Sequence, residues 1–138
     1  MGFMQSVKKV FSTGTETRDD HHDERFKTHY YKSMKDKAMK DVEEMFRRKN
    51  NYTVASVSEE HGEIIIHVKD KKKVFLVATV IMVRPMRTAV DFSASTETIL
   101  FTDFGHSRRL IVELYKELDK RLPFAGIGLG DNLSKKIF

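Results

Sequence analysis

Lys73-Val74-Phe75-Leu76-Val77-Ala78-Thr79-Val80-Ile81-Met82-Val83 contains the longest apolar run of the chain, and its reading decides the fold. Val, Ile, Leu and Phe dominate it, and β-branched and aromatic side chains fit a pleated, packed surface. Val74 to Val83 is far shorter than the roughly 20 residues that a membrane-spanning helix needs. Arg84-Pro85-Met86-Arg87 breaks the run, because proline cannot donate to a strand ladder. Ala89 to about Thr98 then resumes it, with Val90, Phe92 and Ala94 alternating against Asp91, Ser93 and Ser95. A strand, a break and a second strand is the reading.

Two further strand-like segments precede this pair. Tyr52 to Ser58 is rich in β-formers, and Glu63 to Lys69 sets Ile64, Ile66 and Val68 on one face after a turn near His61-Gly62. Asp70 to Lys72 is a charged turn. Connections this short favour neighbouring antiparallel strands, so the simplest sheet is a four-stranded meander.

Helical patterns flank the strands. From about Tyr31 to Lys49, Tyr31, Met34, Ala38, Val42, Met45 and Phe46 recur at three- and four-residue steps, and Asn50-Asn51 supplies a stop. From Ser107 to Leu122 the buried stripe is Leu110, Ile111, Leu114, Leu118 and Leu122, and Pro123 ends it. The expected fold is α+β: helix, four-stranded antiparallel meander, helix, with both helices on one face of the sheet.

Residues 1–25 read as an N-terminal arm and linker, 26–123 as a single α+β domain, and 124–138 as a flexible tail. The 138 residues suit one domain. A hydrophobic share of 40% argues against wholesale disorder, and 33% charged residues imply a soluble surface. With no cysteine, disulfides, thiolate nucleophiles and thiolate metal sites are excluded. No segment has a secretory layout, so the expected location is the cytoplasm. The net charge of +5 is modest, and the basic residues are spread along the chain. Nucleic acid is therefore not the expected partner.

Several motifs admit more than one reading. In the arm, Phe3, Met4, Val7, Val10 and Phe11 fall at roughly helical spacing opposite Lys8 and Lys9, forming a candidate interaction arm. The opening Met1-Gly2 with Ser6 matches the N-myristoylation pattern, though the pattern is short and frequent by chance. Asp19-Asp20-His21-His22-Asp23-Glu24 offers carboxylates and imidazoles, but neighbours on a flexible segment seldom converge on one ion, and a solvated linker is expected. His61, His67 and His106 come from separate segments. Acid–base work would need a pairing with Asp91 or Asp103 that the spacing does not supply. Gly126, Gly128 and Gly130 follow a helix instead of preceding one, which argues against a phosphate loop.

Asp103, Gly105, Ser107, Arg108 and Arg109 form the candidate anion site. Asp103 or Ser107 can cap the second helix, Gly105 allows a turn, and the helix start with its two arginines can receive an anion. Capping alone accounts for most of these residues.

Lys27-Thr28-His29-Tyr30-Tyr31 together with Thr102-Asp103-Phe104-Gly105 resembles a group of small uncharacterised cytosolic proteins from Gram-positive bacteria, over most of residues 26–122. More distantly, the last third of that span is similar to a wider bacterial family of unknown function. The resemblance implies a bacterial, cytosolic, single-domain protein and brings no catalytic residues.

The functional expectation is a non-enzymatic binding or interaction module. Phe75, Val77, Ile81 and Val83 alternate with Val74, Leu76, Val80 and Met82, so both sheet faces call for cover and a second copy or another protein is the expected partner. The alternatives are a carrier of a small apolar ligand or lipid, lined by Met34, Met39, Met45, Met82 and Met86, a membrane-peripheral protein, and an anion-binding module. No cofactor and no metal are expected.

Overall fold

The computed structural model describes residues 12–69, 73–97 and 105–128. The candidate interaction arm of Phe3, Met4, Val7, Val10 and Phe11 and the candidate cap Asp103 lie outside the described residues. The element order is β1 (Ser12–Glu16), a 3-10 turn (Glu24–Phe26), β2 (His29–Tyr31), α1 (Lys35–Arg47), β3 (Tyr52–Ser58), β4 (Glu63–Lys69), β5 (Lys73–Arg84), β6 (Arg87–Glu97), α2 (His106–Arg121) and β7 (Phe124–Ile127).

Among the described residues, the expected four-stranded sheet flanked by helices is corrected to a seven-stranded antiparallel sheet with two helices. Its order is β3-β4-β5-β6-β2-β7, with β1 also paired to β6. β3 to β6 do pair consecutively, Ile66 opposite Leu76 and Leu76 opposite Ala94. The additional strands come from segments expected to be linker, helix start and tail. β1 lies along Ser93 to Glu97, and β2 lies along Thr88 to Val90 of the same strand. β5 occupies the opposite edge of β6, so β1 and β2 sit end to end on the free one. β7 then pairs with β2, bringing the expected tail into the sheet with Gly126 opposite Tyr30.

Each added strand is only three to five residues long. Too short to carry a visible period, β1 and β2 are made strands by the hydrogen-bonding edge of β6, and β7 by the edge of β2. The first helix correspondingly starts at Lys35, because Tyr31 is claimed by β2 and Met34 becomes its N-cap residue.

One parity of the sheet faces the helices. Ile64 and Ile66, Leu76 and Ala78, and Val90 and Phe92 are fully buried there. They share one core with Ala38, Val42, Met45 and Phe46 of α1 and with Ile111, Leu114, Tyr115 and Leu118 of α2. Phe46 meets Phe92 edge-on with centroids 6.2 Å apart. On the other parity of β5, Phe75 and Val77 are half-buried, and Ile81 and Val83 are exposed. Among the described residues no helix is long and apolar enough to cross a membrane.

Candidate functional site

The chain between β1 and β2 crosses to the helix side and delivers Asp23, Arg25 and Phe26 to the start of α2. Asp23 caps the 3-10 turn by accepting from the Arg25 backbone N–H at 3.0 Å. The turn buries Phe26 completely in the core. Arg25 donates Nη2 to Asp23 Oδ2 at 2.8 Å and Nε to Oδ1 at 3.2 Å. From α2, Arg108 Nη2 donates to the same Asp23 Oδ2 at 3.2 Å. These contacts, the Arg25 hydrogen bonds first, hold the Asp23 carboxyl well below the usual carboxylate range. The Arg108 guanidinium lies over the Phe26 ring, 4.6 Å from its centroid.

Together these groups line a cleft of about 380 Å³ bounded by Arg25, Phe26, Gly105, Arg108, Arg109, Val112 and Glu113. Gly105 takes φ 77°, the left-handed region that glycine enters without strain. An added Cβ there would stand 3.2 Å from Arg109 Nη1, so its absence leaves room for that guanidinium. The first turn of α2 carries no acidic residue. Glu113, the one carboxylate among the described residues of the lining, lies 3.6 Å from Lys116. Among the described residues of the lining the cations outnumber the carboxylates three to one, while Asp23, bonded to Arg25 and Arg108, offsets part of that charge.

Of the sequence-derived anion site, Gly105, Arg108 and Arg109 line this cleft. Ser107 is buried beside it, its Oγ 3.1 Å from Thr15 Oγ1. Arg25 was missed because its segment read as linker, and Phe26 because it opened the expected domain without belonging to any expected element. The acidic run was mis-read for the same reason as Arg25. Asp23 clamps two arginines, Asp19 accepts from the Tyr30 hydroxyl at 2.6 Å, and His21 and His22 stack on one another at 4.6 Å.

A second polar cluster lies behind Tyr115. Thr17 and Thr28 both donate to Asp91 Oδ1, at 2.7 and 2.6 Å, where β6 passes the gap between β1 and β2. Thr17 Oγ1 accepts from the Phe92 N–H, and the Tyr115 hydroxyl donates to the Val90 carbonyl at 2.8 Å. Burial pushes the Asp91 carboxyl up. His29 Nδ1 lies 3.0 Å from Asp119 Oδ1, which also accepts from the Tyr31 hydroxyl at 2.6 Å. A histidine with a carboxylate on Nδ1 is the orienting half of an acid–base set. Here one ring face is covered by Tyr115, and Phe124 leans on the imidazole at 5.2 Å. These contacts account for the pair as a tie between β2, β7 and α2.

The remaining histidines do not join either cluster by any hydrogen bond. His61 bonds Ser58 at 2.9 Å, His67 leans on Phe75, and His106 Nε2 is buried with no partner among the described residues. The methionines separate too. Met39 and Met45 fill the core, whereas Met34, Met82 and Met86 are exposed. Among the described residues no group of three or more His, Asp or Glu is placed to hold a metal. No protein-family model matches the chain, and no curated protein matches it.

Proposed function

We propose that the chain is a non-enzymatic binding module that takes a small oxyanion-bearing molecule into the cleft at the start of α2. The observation that carries this reading is the convergence of Arg25, Arg108 and Arg109, from two separate elements, around one cleft of about 380 Å³. That volume is near the lower end for small-molecule sites, which run from roughly 300 to 1,000 Å³. Guanidinium forks match carboxylate and phosphate geometry and keep their charge at all working pH values. The Phe26 ring adds an apolar floor. In further support of binding over catalysis, Asp91, His29 and Asp119 are each occupied by hydrogen bonds that hold strands and helix together.

The test is an amide NMR titration at low salt with inorganic phosphate and then pyrophosphate. Resonances of Arg25, Gly105, Arg108 and Arg109 should move together, and Arg109→Ala should abolish the response. Added salt should weaken it, as expected for partly exposed charges. No movement at these residues with either anion removes the reading. Native mass spectrometry of protein from its own host would then identify the occupant by mass.

A second reading, self-association, is favoured by a different observation. Ile65, Phe75 and Val77 lie on the sheet face away from the helices, beside Ser93 and Ser95 of β6. A second copy laid on this face would bury an apolar stripe bordered by small hydroxyl residues. Sedimentation that finds only monomer at every concentration would exclude it.

A further inference from the structure

The β5–β6 hairpin outruns the rest of the sheet. β4 starts at Glu63 opposite Thr79, and its turn meets β5 where the Val80 N–H donates to the Gly62 carbonyl at 2.7 Å. On the far side, β2 reaches only Thr88 of β6. Among the described residues, Ile81 to Arg84 therefore have no strand neighbour except β6 itself. Four large apolar side chains are exposed on this overhang: Ile81 at 52%, Met82 at 36%, Val83 at 43% and Met86 at 54%. Successive strand residues point to opposite faces, so Ile81 and Met82 present opposite faces, and a register shift between Met82 and Arg84 sets Val83 at the bulge beyond them. Met34, also exposed, stands at the base, since the preceding Ser33 carbonyl accepts from Thr88 at 2.6 Å.

The apex is Pro85-Met86, with Met86 at φ 59°. A large side chain in the left-handed region is strained in a way that glycine, or in part asparagine, would be spared. An apolar residue is thus carried at the most protruding point despite a backbone that disfavours it. Arg84 and Lys32 are exposed at the same end.

We propose that this hairpin tip is a membrane-surface contact that inserts Val83 and Met86 among the acyl chains of an anionic bilayer, with Arg84 and Lys32 at the headgroups. Two features select a lipid surface over a protein groove. The overhang is apolar on both faces, whereas a groove on a flat partner would cover one. Cations border the apolar residues on a chain of net charge +5, complementary to anionic headgroups. This inference is independent of the anion cleft, which lies on other elements.

The experiment is co-sedimentation of the full chain with vesicles of phosphatidylcholine and phosphatidylserine in equal parts, and with phosphatidylcholine alone. Wild type should sediment with the mixed vesicles and much less with phosphatidylcholine alone. Val83→Ser combined with Met86→Asn should weaken binding about tenfold or more, given the apolar area withdrawn. Asparagine suits the left-handed turn, so an unchanged melting temperature would show that the fold persists. Arg84→Ala should weaken binding a few-fold and flatten its salt dependence. Absence of wild-type binding, or undiminished binding by the double variant, overturns the proposal. So does a double variant that loses self-association instead of vesicle binding, which would make the tip a protein contact.

Discussion

His29 lies flat against Tyr115, with ring centroids 3.6 Å apart and planes 5° from parallel, so that a residue of a three-residue strand is fixed to the middle of α2. The same strand reaches α2 a second time through Tyr31 and Asp119. Short β2 is held by side chains as much as by its ladder.

That linkage sets the first prediction. Asp119→Ala leaves the hydroxyl of fully buried Tyr31 without its acceptor, and should cost about 2–3 kcal/mol of unfolding free energy. Tyr31→Phe removes the donor instead. It should cost only about 1 kcal/mol, because partly exposed Asp119 keeps His29. Urea denaturation of both single variants and the double variant should give strongly non-additive losses. Additive losses would mean that the two groups are not coupled.

Gly62 sits at φ 66° in the β3–β4 turn, and a Cβ there would collide with the Val80 carbonyl oxygen. Gly62→Ala should therefore destabilise by about 1–3 kcal/mol. Amide exchange should accelerate first at Val80, whose N–H donates to Gly62. A neutral substitution would show that this turn can shift at little cost.

Asp91 provides a pH signature. Its carboxyl is pushed above the ordinary 3.8, chiefly by burial, while the Thr17 and Thr28 hydroxyls work in the opposite direction. An acid whose pKa is higher in the folded state binds its proton more tightly there, so it adds stability as pH falls toward 3.8 and withdraws it as pH rises. Asp91→Asn keeps an acceptor for both threonines and removes the buried charge. The variant should melt above wild type at pH 8, and the gap should close toward pH 4. A gap that widens on acidification would reverse the assignment.

Asp23 competes with any anion for Arg25 and Arg108. Asp23→Asn retains an oxygen to cap the 3-10 turn but removes the charge, so phosphate should bind up to about fivefold more tightly than to wild type. Calorimetric titration of both proteins checks this. Weaker binding in the variant would mean that Asp23 positions the arginines more than it neutralises them.

The alternating Ile64, Ile66 and Val68, the run from Val74, and the helical steps through Val42 and Leu114 are periods contained within their own segments. The sequence by itself therefore determined α1, α2 and the strands β3 to β6, and with them the α+β class and the face that becomes core. Those periods arise from side chains that must share one buried face, so they are written locally.

Only the tertiary structure decided that Ser12–Glu16, His29–Tyr31 and Phe124–Ile127 are strands. The conformation of the first two is supplied by the open edge of β6, a partner more than fifty residues away for β2, and that of the third by the edge of β2; no segment of three to five residues shows a period of its own. The candidate site divides along the same line. Arg108 and Arg109 were legible at a helix start, whereas Arg25 and Phe26 join them only because pairing of β1 and β2 with one strand forces the chain between them across to α2.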